Sequence, residues 1–129
     1  MGTFKSFEEI EVWQKARVLT QEIYTVTNDA RFSRDFALCK QLRRASVSVM
    51  SNIAEGYERD GTGEFVQFLS IAKGSAGEVK AQLYVALDQG YIDRTVFDRL
   101  SDMSGNVSRQ IGGFMNYLRR SKVKGTKYK

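Results

Sequence analysis

The sequence contains no histidine, no proline and only one cysteine in 129 residues. Without histidine, the chain lacks the commonest general base, the histidine-based catalytic triads and the usual zinc ligand. One cysteine cannot form a disulfide within the chain, which fits a reducing compartment. No apolar run approaches the roughly 20 residues that span a bilayer. We therefore expect a soluble, cytoplasmic protein with no metal, no cofactor and no membrane segment.

Sequence signatures of catalysis are also missing. Neither of the common glycine-rich phosphate-binding motifs occurs, and Lys73-Gly74-Ser75 resembles the end of such a loop only superficially, because it lies inside an apolar helical pattern. Cys39 lies on an apolar helix face, where burial raises a thiol pKa, so a structural role is favoured. Paired carboxylates such as Glu8 with Glu9, or Asp98 with Asp102, could serve acid–base chemistry, but on amphipathic helices they are typical of solvated faces. These observations predict a protein that is not an enzyme.

The positive charge is concentrated at one end of the chain. The whole sequence has 20 Lys and Arg against 15 Asp and Glu, with a formal net charge of +5. The last eleven residues contain no acidic residue and six basic ones: Arg119, Arg120, Lys122, Lys124, Lys127 and Lys129. We predict one domain over residues 1–118 and a basic tail over 119–129. The tail is either a solvated end or an arm that binds phosphate backbones.

Hydrophobic residues recur at three- and four-residue steps in four segments, which is typical of amphipathic helices. The first predicted helix begins near Ser6, the second and third follow N-caps at Ser33 and Thr62, and the fourth starts from Asp93. They end near 27–29, at Glu58, at Gln89 and at Leu118. Ser6 and Glu9 have the spacing of a capping box, and Gly90 provides a C-terminal stop. Four such helices with short loops most economically form an all-α, up-down-up-down four-helix bundle.

The second segment has a wider apolar arc than a helix in a monomeric bundle needs. Two adjacent stripes together cover about half of its circumference, and further apolar residues lie off the core stripe of the third segment. Either neighbouring helices and the N-terminal Phe4 and Phe7 cover this arc, or it forms a subunit interface. We favour a subunit interface, with Phe36, Val47, Met50, Tyr57, Val66 and Tyr84 as its candidate residues.

Two basic clusters are candidates for nucleic-acid binding. Lys40, Arg43 and Arg44 form the first, and Lys73 and Lys80, near Tyr84, form the second. Cations interleaved with aromatics suit phosphate contact and base stacking, although ordinary helix-surface charge has the same pattern.

Four polar or small residues in the helices form two further pairs of interest. Asn52 and Gln41 lie at the edge of an apolar stripe and are predicted to bond across helices. Gly105 and Gly112, seven residues apart in the fourth segment, either admit another helix closely or are merely tolerated.

Four stretches of the sequence carry a resemblance to a known family. They are FEEIEVWQKA at 7–16, QLRRA at 41–45, NIAEG at 52–56 and FVQFLSIAKGS at 65–75. In this order and spacing they resemble the bacterial four-helix-bundle proteins associated with intervening sequences in large-subunit ribosomal RNA. That family is similar to the accessory variability determinant proteins of diversity-generating retroelements.

The resemblance implies a barrel-like homopentamer with a non-catalytic role centred on nucleic acid. The accessory relatives bind RNA or DNA and a reverse transcriptase. Combined with the charge pattern, this predicts a basic surface of Lys40, Arg43, Arg44, Lys73 and Lys80, and a flexible arm of Arg119, Arg120, Lys122 and Lys124. The alternative is a protein–protein adaptor that does not contact nucleic acid.

Overall fold

A computed structural model describes residues 4–122, and within that range the protein is all-α with no strand. The α-helices are α1 (Glu11–Thr27), α2 (Phe36–Glu58), α3 (Thr62–Asp88) and α4 (Arg94–Lys122). Short 3-10 helices at Phe7–Glu9 and Phe32–Arg34 precede α1 and α2. In this part of the chain no helix combines the length and hydrophobicity required to cross a membrane. The predicted fold class is confirmed at this level.

Consecutive helices pack against each other, and α1 also packs against α4. At Gly56, α2 packs tightly against Phe65 and Phe68 of α3. Further along this contact, the Ser48 and Ser75 hydroxyls are 2.8 Å apart and share a hydrogen bond. These two contacts hold α2 and α3 together along their length.

The core consists of two clusters of buried side chains, one towards each end of the helices. The first is built around Phe65, Leu69 and Ile111, and the second around Phe32, Leu42 and Leu100. All six of these side chains are fully buried. Because burying such a side chain contributes about 1.5–3 kcal/mol, the two clusters supply much of the driving force for folding.

The start of α2 differs from the prediction. The N-cap is Asp35, whose Oδ1 accepts a hydrogen bond from the Leu38 N–H at 3.1 Å. Ser33 lies earlier, in the 3-10 helix, and its hydroxyl donates to the Ala30 carbonyl instead. The Ser33 prediction is wrong because Asp29 turns the chain first, accepting from the backbone N–H groups of the next residues.

The capping box predicted at Ser6 is also wrong. The Ser6 hydroxyl makes no capping hydrogen bond, and residues Phe7–Glu9 form a 3-10 helix. The Glu9 carboxylate accepts from the backbone N–H of Lys5 at 2.9 Å rather than from that of Ser6. Helix α1 begins only at Glu11, because Ile10 has extended backbone geometry.

The other helix ends follow the sequence signals more closely. The Asp93 Oδ1 accepts from the Val96 N–H at 2.8 Å, as expected of an N-cap. Gly90 has a φ of +74°, and its N–H and that of Tyr91 donate to carbonyls in the last turn of α3. This is the glycine-dependent C-cap that closes a helix in the left-handed conformation. Thr62 is the first residue of α3 rather than its cap.

Candidate nucleic-acid interface

An open groove of about 690 Å³ lies between the end of α1 and the first half of α2. We call it the α1–α2 groove. Its lining contains three cations, three large apolar side chains and, among the residues that the structure describes, no carboxylate. The residues that line it are Tyr24, Thr27, Asn28, Ser33, Phe36, Cys39, Lys40, Arg43, Arg44 and Val47.

The spacing of residues on α2 explains the mixed character of this groove. Phe36, Lys40, Arg43 and Val47 follow one another at steps of four, three and four residues, so they share one helix face. Phe36 is 81% exposed and Val47 is 37% exposed. Apolar and cationic side chains therefore alternate along a solvent-facing strip.

Arg43 is held in place by neutral partners on α1. Its Nε donates to Thr27 Oγ1 and its Nη2 to Asn28 Oδ1, both at 2.8 Å. Its guanidinium also lies over the Tyr24 ring, 4.7 Å from the ring centroid. These contacts fix the orientation of the guanidinium, and none of them supplies a negative charge.

Lys40 and Arg44 are exposed. Over residues 4–122, neither side chain has a hydrogen bond or an ion pair, whereas other cations such as Lys15 and Arg99 contact carboxylates. The two lie four residues apart on α2, where like charges repel. The lining of the groove thus holds three cations and no carboxylate, which favours an anionic ligand, while Arg44 also borders a second pocket that contains Glu78.

Cys39 lies at the floor of the groove. Its Sγ is 3.3 Å from the Phe32 carbonyl oxygen, to which the thiol donates. Burial raises the pKa of the Cys39 thiol, an effect that nearby Arg43 partly opposes and Asp35 reinforces. A buried, protonated thiol is a poor nucleophile, which supports the structural role predicted for it.

The structure divides the predicted interface residues into two groups. Met50, Tyr57 and Val66 are partly buried against the first core cluster. The Tyr57 hydroxyl donates to the Phe4 carbonyl at 2.6 Å, and the two rings meet edge to face. Phe4 therefore covers the apolar face of α2 at this end of the helix, as in the alternative to a subunit interface.

The remaining interface candidates are exposed. Phe36 and Val47 lie in the α1–α2 groove, and Tyr84 on α3 is 51% exposed, with its ring against that of Phe97. The same face of α2 is thus covered at its C-terminal end and open at its N-terminal end.

Lys73 and Lys80 lie over α4, apart from the groove. An alanine Cβ at Gly112 would be 3.4 Å from the Lys73 Cε, and one at Gly105 would be 4.0 Å from the Lys80 Nζ. A Cβ at Gly105 would be nearer to the Arg109 Nη1, at 3.4 Å, so the two glycines face cationic side chains rather than the backbone of another helix. The second basic cluster is a separate surface between α3 and α4.

The C-terminal basic residues are only partly within the described range. Arg119 and Arg120 are exposed on the last turns of α4, which continues past the predicted boundary at Leu118 to Lys122. Lys124 and the rest of the predicted tail lie outside the described residues.

The side-chain amide of Asn52 donates its hydrogen bonds within its own helix. Its Nδ2 donates to the Ser48 carbonyl at 2.8 Å and to the Ser48 hydroxyl at 3.0 Å. That hydroxyl in turn bonds with Ser75 on α3. The predicted direct bond across helices is wrong for Asn52, because Ser48 provides the link, while Gln41 is exposed.

Tyr24 and the role of Phe36 were missed from the sequence. In the sequence, Tyr24 lies only on the flank of the apolar stripe of the first segment, and Phe36 was predicted only as an interface residue. The available signal was the grouping of Tyr24, Thr27 and Asn28 at steps of three and one, which places an aromatic ring and two acceptors at one end of α1.

Comparison with known proteins gives a family match and a fold match. The family model described as 23S rRNA-intervening sequence protein matches residues 8–113. A solved structure from Bacteroides thetaiotaomicron, a protein with unknown function from the S23 ribosomal protein family, matches with a TM-score of 0.74. The two sequences are 21% identical, and the match covers 81% of this chain and 97% of that one, which shows a common fold. No curated protein matches the chain.

Proposed function

Because the chain belongs to the 23S rRNA-intervening sequence protein family, we propose that it is a non-catalytic, homo-oligomeric scaffold that binds RNA in the cytoplasm. Its four helices form an up-down-up-down bundle, and copies of the bundle assemble into a ring-like homopentamer. DNA binding, as in the accessory proteins that the sequence resembles, is compatible with the same chemistry because it uses the phosphate backbone.

The observation that carries this proposal is the uncompensated charge of the α1–α2 groove. Lys40 and Arg44 lack partners over residues 4–122, and Arg43 has only neutral ones. A phosphate backbone neutralises such cations and releases its own counterions, which strengthens binding at low salt.

Assembly is supported by the outer face of α3. Small exposed residues at Ser70, Gly74, Gly77 and Ala81 share this face, since they are spaced at steps of four, three and four. Ile71 and Val85 beside them are 53% and 44% exposed. A second helix packs closely against small residues, and exposed aliphatic side chains beside them favour association.

Assembly would also multiply weak contacts. Each chain carries a formal net charge of +5, and several copies of the groove bound to one RNA raise avidity by roughly 10²–10⁴ without any new contact. In this proposal the scaffold presents RNA to a partner enzyme. The resemblance to retroelement accessory proteins makes a reverse transcriptase of a diversity-generating retroelement the candidate.

Fluorescence anisotropy with labelled RNA across a salt series tests the RNA-binding function. Lys40→Gln and Arg44→Gln should each weaken binding, and each should reduce the slope of log K against log salt by about 1 for a lost phosphate contact. Lys15→Gln is the matched control. It removes the same charge from α1, where Lys15 pairs with Glu11 outside the groove.

A protein–protein adaptor, the second candidate, predicts a different result. Exposed Ile71 and Val85 on α3 favour it, because an apolar face serves a protein partner as well as another copy. An adaptor would show no RNA affinity at low salt, or an affinity that both groove substitutions leave at the wild-type value. Either result would refute the RNA-binding function.

A further inference from the structure

We propose that the α1–α2 groove binds unpaired nucleotides, with a base stacked on Phe36 and the adjoining phosphates held by Lys40 and Arg44. This inference rests on the RNA-binding function proposed above and specifies the class of nucleic acid that the groove takes: single-stranded rather than fully paired RNA.

Phe36 is the exposed aromatic surface of the groove. It is the first residue of α2 and is 81% exposed, the largest exposure among the exposed large hydrophobic residues. Within the described part of the chain, no aromatic ring or cation packs against it. Tyr24, by contrast, already carries the Arg43 guanidinium on its ring. Phe36 is therefore the ring that remains available for a base.

The two unpartnered cations follow Phe36 along α2. Lys40 is four residues from Phe36, a rise of about 6 Å along the helix axis, and Arg44 is four residues further. An aromatic platform followed by successive cations along a groove is the arrangement by which proteins bind single strands, with bases stacked and the backbone tracked by charge.

Paired RNA would use only half of this surface. In a duplex the bases are stacked on one another, so phosphates can meet Lys40 and Arg44 while Phe36 stays exposed to water. An unpaired base can unstack from its neighbours in the strand and stack on the Phe36 ring. The exposure of Phe36 beside unpartnered cations thus favours unpaired nucleotides.

A second copy docked groove to groove is a poorer occupant of this surface than RNA. In a two-fold interface the same surface patch meets itself. Lys40, Arg43 and Arg44 of one copy would then face the same three cations of the other, with no carboxylate among the lining residues of the groove to offset the repulsion.

Phe36→Ala separates the single-strand inference from RNA binding in general. The probes are a short single-stranded RNA containing 2-aminopurine and the same RNA paired with its complement. For the single strand, we expect Phe36→Ala to weaken binding about 5- to 150-fold, the equivalent of about 1–3 kcal/mol for one stacked base, and to abolish the stacking-dependent fluorescence quenching. Affinity for the duplex and the mass in solution should not change.

Two further variants complete the experiment. Phe36→Trp should restore single-strand affinity and quenching, because it keeps an aromatic face. Val18→Ala, which shortens an exposed side chain on α1 that does not line the groove, should have no effect on either probe.

Three results would overturn the inference. They are wild-type single-strand affinity in Phe36→Ala, an equal loss for single strand and duplex, and a change of mass in solution that shows Phe36 to be a subunit contact. If the wild-type protein binds neither probe at low salt, the RNA-binding function fails as well. If it binds both and Phe36→Ala changes nothing, only the single-strand inference fails.

Discussion

At the scale of single residues, Gly56 controls how closely α2 approaches α3. A Cβ at this position would lie 2.8 Å from the Phe68 Cβ and 2.9 Å from the Phe65 Cδ1. The Phe65 carbonyl oxygen, 3.3 Å away, closes the remaining side. Since backbone and ring atoms on α3 cannot move independently of the core, even one methyl group must displace the helices.

Gly56→Ala should therefore destabilise the protein by about 1–3 kcal/mol, the usual cost of overpacking a core. Gly113→Ala is the matched control, because a Cβ there has no atom within 4 Å. It should stabilise α4 by up to about 1 kcal/mol through helix propensity. Urea unfolding followed by circular dichroism measures both. Equal midpoints for the two variants would contradict the tight approach at Gly56.

The residue scale also shows why candidate site residues were only partly predictable. Lys40, Arg43 and Arg44 were found because cations one turn apart are visible in the sequence. The hydrogen bonds of Arg43 to Thr27 and Asn28, and its contact with the Tyr24 ring, could not be predicted. They depend on where the end of α1 lies beside α2.

At the scale of helices, periodicity predicted all four α-helices but not every end. The fourth helix starts from Asp93 as predicted, and Asp93 caps it by accepting from the Val96 N–H. Before α2, Ser33 and Asp35 compete two residues apart, and the choice depends on the 3-10 helix between α1 and α2. The cover of Tyr57 by Phe4 was equally unpredictable, because it depends on the path of the N-terminal segment.

The α2 cap can be tested by comparing the two competing residues. Asp35→Ala removes the acceptor for the Leu38 N–H and for the Tyr91 hydroxyl, which donates to Asp35 Oδ2 at 3.0 Å. The free energy of unfolding should fall by about 0.5–2 kcal/mol. Ser33→Ala should change it by less than about 0.5 kcal/mol.

Asp35→Asn separates capping from charge. Its amide oxygen can still accept from the Leu38 N–H, so most of the stability should return, since Asn caps about as well as Asp. Chemical unfolding of the three variants provides the comparison. A larger loss for Ser33→Ala than for Asp35→Ala would show that α2 begins where the sequence alone placed it.

At the scale of the whole molecule, the groove and the outer face of α3 have different surface chemistry. The groove alternates cations with apolar side chains, whereas the α3 face presents Gly74, Gly77 and Ala81 beside Ile71 and Val85. The first suits an anionic polymer and the second a packed helix. In a ring, the α3 face of one copy meets a different surface of the next, so every groove stays accessible to RNA when that second surface lies outside the groove.

If RNA binds the groove and copies associate through the α3 face, RNA binding and self-association should respond to different substitutions. Ala81→Glu places a charge on the exposed small-residue face of α3 and should reduce the mass in solution towards the 14.7 kDa of one chain. Ala37→Glu, the same change at an exposed position of α2, should leave the mass unchanged. Light scattering coupled to size exclusion measures both, and circular dichroism confirms that each variant is folded.

The affinity for RNA should also depend on self-association. If several grooves bind one RNA together, a dissociated Ala81→Glu protein should bind long RNA more weakly by roughly 10²-fold or more, while its affinity for an RNA long enough for only one groove stays constant. A wild-type protein that is monomeric at micromolar concentration, or an Ala81→Glu variant with unchanged mass, would exclude α3 as the assembly surface. In the first case RNA binding depends on a single groove per particle, and in the second the copies associate through another surface.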